Sequence, residues 1–207
     1  MNCTVQTPFG SLKGMEQDGV LCFFGVPYAQ KPLGALRFRA PELVEPWDGV
    51  LAATGFAKDP MQANLTLGPE NYSEDCLYLN IWVPENVQSA APVMLWVPGG
   101  AFATGGSGAL KPEGPTSYDC RQLAKDTGCI IVSISYRLNV FGFLNLSSFS
   151  SRFDDHIGMK DIIMAMRWVH DAISSFGGDP GNVTLFGESA GGEAISALLL
   201  IDEASPY

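Results

Sequence analysis

The sequence predicts an α/β protein, and three observations carry that expectation. Residues 91–97, 129–136 and 183–186 are short apolar, largely β-branched runs, as buried strands are. Residues 118–127, 161–176 and 190–201 read as helices, so the two kinds of element alternate along the chain. Between the last strand and the last helix stands Gly187-Glu188-Ser189-Ala190-Gly191, a GxSxG pattern in the strand-to-helix setting that gives it meaning.

Taken in order, residues 3–24 are short alternating runs broken by Phe9-Gly10 and Asp18-Gly19, the pattern of small antiparallel strands forming an edge sheet. Residues 23–50 are dense in Pro, Gly and aromatics and should be ordered coil, with Arg37 and Arg39 in structural ion pairs. Residues 73–84, SEDCLYLNIWVP, read as a strand entered through two acids. The strand 91–97 runs into Pro98-Gly99-Gly100-Ala101-Phe102, and a glycine-rich loop at a strand's carboxyl end presents backbone N–H groups to an anion. Gly128 stops the helix 118–127, and 129–136 is a central strand. The helix 161–176 carries Ile162, Met166, Val169 and Ile173 on one face and ends at Gly177-Gly178. Asp179-Pro180 turns the chain into the strand 183–186, and the helix 190–201 is apolar nearly all round.

The junction carries the chemistry. Gly187 and Gly191 should lack a Cβ because strand and helix crowd each other, and Ser189 is thereby pushed out at the strand's end. A serine hydroxyl becomes a useful nucleophile when a base takes its proton and donors receive the oxyanion that forms. Beside this elbow, the N–H groups of Gly100, Ala101 and Ala190 are the expected oxyanion donors.

Composition bounds the alternatives. With 207 residues, 46% hydrophobic and 16% charged, the chain should form one domain over 1–207 with a single sizeable core. A net charge of −10 argues against a nucleic-acid partner, since a phosphate polymer would be repelled; solubility is a simpler role for it than attraction of cationic substrates. No run of eighteen apolar residues marks a membrane span and no signal peptide is visible, so a cytoplasmic location is expected. The five cysteines match neither a disulfide framework nor a zinc site, and no metal or other cofactor is called for. Sequons such as Asn64-Leu65-Thr66 and Asn71-Tyr72-Ser73 arise readily by chance.

The stretches FFGVPYA, SEDCLYLNIWVP, GGAF, ISYRLNVFGFL, RWV and FGGDPGNVTLFGESAGG together resemble the type-B carboxylesterases, the cholinesterase-like branch of the α/β-hydrolase fold. The resemblance implies Ser189 as nucleophile, Gly100, Ala101 and Ala190 as the oxyanion hole, and small-molecule carboxylic esters as substrates. It also shows departures. Pro98 stands where the family usually has His or Tyr, Ala101 where Gly is frequent, and Cys76 lacks its usual partner, since residues 57–62 read AKDPMQ. Residues 61–75 contain no tryptophan of the choline-binding kind.

In this fold the triad acid and histidine follow the nucleophile, yet none of residues 190–207 is His. His156 and His170 lie upstream and read as solvated residues. The chain therefore most resembles the amino-terminal part of the fold, through the elbow. Two readings follow: a serine ester hydrolase whose acid and base lie outside this chain, or a truncated non-catalytic protein or binding module. The isolated chain is expected to be inactive and to self-associate through an exposed sheet edge.

Overall fold

The computed structural model describes residues 3–62, 68–87, 89–107 and 118–207. The sequon at Asn64 lies outside them. Strands β1 (Thr4–Thr7) and β2 (Gly10–Lys13) form an antiparallel hairpin that β5 (Val50–Ala52) extends in parallel. The neighbouring strands β3 (Met15–Gln17) and β4 (Val20–Pro27) do not join that hairpin as an edge sheet. They belong to the main sheet, because β4 is apolar on both faces and needs cover on both. Residues 28–49 are coil apart from a 3-10 turn at Gly34–Leu36 and a bridge between Ala29 and Leu43, and two-residue strands β6 (Asp59–Pro60) and β7 (Tyr72–Ser73) pair nearby. Arg37 and Arg39 are ion-paired as expected, with Glu74 and Asp154.

The main sheet is completed by β8 (Tyr78–Pro84), β9 (Ala91–Val97), β10 (Ile130–Ile134) and β11 (Gly178–Gly187). Its order among the described residues is β11-β9-β10-β8-β4-β3; β11, β9 and β10 run parallel and the rest antiparallel. Helix α1 (Arg121–Thr127) ends at Gly128, whose φ of 69° is the left-handed cap that only glycine adopts cheaply. The short helix α2 (Asn139–Phe143) has too few residues to show a helical period and is not legible in the sequence.

Helix α3 (Ile157–Ala172) starts a turn earlier than the sequence suggests, because Ile157 and Met159 extend its buried face. Asp161 is thus inside the helix rather than at its start. A 3-10 turn, Ile173–Phe176, leads to Gly177 and into β11, which begins at Gly178 and shifts register before Val183, so the Asp179-Pro180 turn is absorbed as an irregularity. Helix α4 (Ala190–Leu198) stops short of residue 201; Leu199 and Leu200 are 85% and 88% exposed, so the apolar run outlasts the buried helix.

The sheet's two faces follow the period of two. One face, with Leu79, Ile81, Val93, Leu95, Ile130, Val132 and Ile134, packs against α3 and α4 through Ile162, Trp168, Val169, Ala194 and Leu198. The other, with Cys22, Trp82 and Ile131, is covered by α1 through Ala124. Full burial of each such aliphatic side chain is worth about 1.5–3 kcal/mol relative to exposure, so the sheet is a firm base for the loops at its end. Cys22, Cys76, Cys120 and Cys129 carry free thiols, and burial holds Cys76 well above the ordinary thiol range.

Candidate active site

The elbow forms as the residue types dictate. Ser189 caps α4 with φ 53° and ψ −122°, a positive-φ backbone that costs a non-glycine residue on the order of 1–3 kcal/mol. Its side chain is exposed at the carboxyl end of β11, and its carbonyl accepts the Glu193 N–H at 3.0 Å. A Cβ on Gly187 would lie 2.8 Å from the Val97 carbonyl oxygen, and one on Gly191 would overlap that same oxygen. The turn therefore closes only with hydrogens at both positions.

The glycine loop lies directly against it. A Cβ on Gly99 would overlap the Glu188 carbonyl, so the two backbones touch. Gly100 has φ 110°, and Ala101 and Phe102 follow in the left-handed region at 55° and 56°. Two consecutive strained residues persist only where surroundings over-determine them. The Ala103 and Thr104 amides both donate to the Gly100 carbonyl, at 3.0 and 2.9 Å, closing a tight turn. The amides of Gly100, Ala101 and Ala190 have no acceptor among the described residues.

Side chains from distant parts of the chain hold the loop. Tyr136 Oη donates to the Pro98 carbonyl at 2.7 Å; burial raises this hydroxyl above its ordinary value, so it stays a donor. Asn139 donates from its backbone to the Phe102 carbonyl and from Nδ2 to the carbonyls of Ala103 and Met61. Gln62 pairs both ways with Gly105, Nε2 to the carbonyl at 2.9 Å and the Gly105 amide to Oε1 at 3.0 Å. At the loop's far end Ser107 sits in a buried network: Asn80 Nδ2 and Ser133 Oγ donate to its carbonyl, and the Ser107 amide donates to Ser135 Oγ. Below, Arg137 makes three hydrogen bonds to Asp161 through its amide, Nε and Nη2. Burial pushes the Asp161 carboxyl up and the facing guanidinium opposes it. Burial also works against the Arg137 charge, but the facing carboxylate outweighs it and holds the guanidinium above its ordinary value.

These gripping residues escaped the sequence reading. Asn80 inside an apolar strand and Ser133 and Ser135 alternating within another were visible signals, since buried polar groups need partners. Ser189, Ala190, Gly100 and Ala101 all come from the two segments that meet at Gly99 and Glu188. The two histidines stand elsewhere in the hydrogen-bond pattern: His156 Nδ1 faces Asp155, and His170 Nδ1 faces Asp171 at 3.1 Å with its ring on Tyr207. Among the described residues no cluster of His, Cys, Asp and Glu could hold a metal. No helix among them is long and apolar enough to cross a membrane. A cavity of about 720 Å³ lies along α3, bordered by His156, Met159, Ile163 and Tyr207, and is lined by none of the four predicted site residues.

Against known proteins, the profile of the Carboxylesterase family matches residues 2–206. The chain belongs to that family. It is 44% identical over 207 residues to the para-nitrobenzyl esterase of Bacillus subtilis (strain 168), covering 97% of this chain and 41% of that one. Carboxylesterase 1E of Mus musculus is 40% identical over 205 residues, covering 92% of this chain and 34% of its own length. Among solved structures, a PNB esterase superposes with a TM-score of 0.89 at 44% identity, over 99% of this chain and 42% of that one. A Geobacillus stearothermophilus carboxylesterase gives 0.85 at 42% identity, over 98% and 41%. The architecture is thus part of the α/β-hydrolase fold, and the chain spans about two fifths of the solved relatives' length.

Proposed function

We propose that this carboxylesterase-family chain supplies the nucleophile and oxyanion hole of a serine carboxylic-ester hydrolase. The observation that carries the reading is the junction itself: a strained, exposed Ser189 on an elbow whose backbone touches a glycine loop with unpaired amides. A binding role would need neither the strain nor the free donors.

In the proposed reaction, Ser189 Oγ bonds to the ester carbonyl carbon as a base removes its proton. The carbonyl oxygen takes the negative charge and is received by the N–H groups of Gly100, Ala101 and Ala190. Collapse breaks the bond to the alcohol oxygen, which takes the proton from the base and leaves an acyl-serine. Water then repeats the sequence and releases the acid. Since neither His156 nor His170 hydrogen-bonds Ser189 among the described residues, the reading places base and acid outside these 207 residues.

A fluorophosphonate probe tests this, because it marks only an activated serine. In the protein completed by the segment that carries the base, mass spectrometry should place the adduct on Ser189, and Ser189→Ala should abolish both labelling and turnover. Labelling elsewhere with turnover retained in Ser189→Ala would refute the assignment. The reading also extends to self-association: β11 has β9 as its one strand neighbour among the described residues, and Leu199 and Leu200 after α4 are exposed. Sedimentation of the 207-residue chain should show dimers or larger species; a monodisperse monomer would contradict it.

A further inference from the structure

We propose that Gln62 is a positioning residue that sets the oxyanion donors by locking the return limb of the glycine loop; the proposal rests on the assignment of Gly100 and Ala101 as those donors. The Gln62 amide treats Gly105 as a strand partner would. It donates to the Gly105 carbonyl and accepts from the Gly105 amide, while Nε2 also donates to the Pro60 carbonyl at 3.0 Å. Both backbone groups of one loop residue are thereby satisfied by a single side chain from a segment 43 residues away.

The lock is transmitted by contact rather than by distance. Gly105 has φ 107° and packs so closely on Gly99 that a Cβ would sit 2.5 Å from the Gly99 carbonyl oxygen. Gly100 is pressed in the same way against the Thr104 carbonyl, where a Cβ would overlap it. The Ala103 and Thr104 amides close on the Gly100 carbonyl. A shift of Gly105 must therefore displace Gly99, which abuts Glu188 of the elbow, and with it Gly100, the first of the donors. Tyr136 fixes the loop's entry at Pro98 and the Asn80 network fixes its exit at Ser107, leaving Gln62 to hold the segment between them along with Asn139.

Donor placement matters in the transition state more than in the ground state, because the charge on the oxygen develops there. A loosened loop should therefore lower kcat and leave KM nearly unchanged. Gln62→Met keeps the volume and removes all three bonds, the two to Gly105 and the one to Pro60. Gln62→Glu keeps an acceptor for the Gly105 amide but sets a carboxylate against the Gly105 carbonyl.

Two readouts test the proposal. In the 207-residue chain, amide hydrogen exchange in both variants should rise at Ala103 and Thr104 as well as at Gly105, with protection in β9 and β10 unchanged. A rise confined to Gly105 would overturn the transmitted lock. In the protein that carries the base, Gln62→Met should lower kcat on a p-nitrophenyl ester roughly 10- to 100-fold with KM within about twofold. Unchanged kcat, or a change in KM alone, would overturn the positioning role. Should Ser189→Ala leave that turnover intact, the site assignment itself would fail, and the exchange result would still decide whether Gln62 locks the loop.

Discussion

The elbow and the glycine loop touch at Gly99 and Glu188, yet they are held by different means. The elbow is enforced by exclusion: two glycines a turn apart leave room for the Val97 carbonyl, and the helix that begins at Ala190 fixes the rest. The loop is enforced by capture, with Gln62, Asn80, Ser133, Tyr136 and Asn139 each reaching its backbone from elsewhere in the chain. A device built from sterics is local and is broken by adding atoms. One built from hydrogen bonds is distributed and is broken by removing them.

The largest effect should come from beneath the loop. Asp161→Asn leaves the Arg137 guanidinium buried without its counter-charge, and breaking such a pair costs about 3–5 kcal/mol. Denaturant unfolding should show that loss, and because Arg137 lies between Tyr136 and Asn139, both of which grip the loop, exchange should rise there before it rises in the elbow. Equal loosening of both regions would mean they are one unit.

Next, Gly191→Ala pushes a methyl into the Val97 carbonyl and should destabilise by about 1–3 kcal/mol, read from the same melts. A silent substitution would show that the elbow has slack and would remove the contrast. On the loop side, Asn80→Ala takes the acceptor from the Gly25 amide and leaves the Ser107 carbonyl with Ser133 Oγ alone, a cost of about 1–3 kcal/mol. Ser189→Gly should act in the opposite direction. It relieves the positive-φ strain and should raise stability by roughly 1 kcal/mol; a loss would mean the serine side chain contributes to the fold.

This difference also decides what was legible in the sequence. The elbow is written in five consecutive residues whose reasons are local, so Gly187, Ser189 and Gly191 could be read together, as could strand 91–97 and the glycine cap of α1. The loop's glycines were legible, but its restraints were not, because Gln62 and Asn139 find their partners only after the sheet has assembled. The placement of β3 and β4 in the main sheet was lost for the same reason, since pairing between β4 and β8 spans more than fifty residues. Hydrophobicity alone extends helix α4 to residue 201 because it does not say where burial ends.

On the proposed reading, these 207 residues hold a nucleophile and an oxyanion hole without the base that activates them. Hydrolysis of a p-nitrophenyl ester by the purified chain, beside its Ser189→Ala variant, tests this most directly. Loss of a triad histidine costs on the order of 10⁶ in kcat, so both proteins should sit near the uncatalysed background and be indistinguishable. Robust turnover by the chain, abolished in Ser189→Ala, would show that a base is already present within it and would overturn that reading.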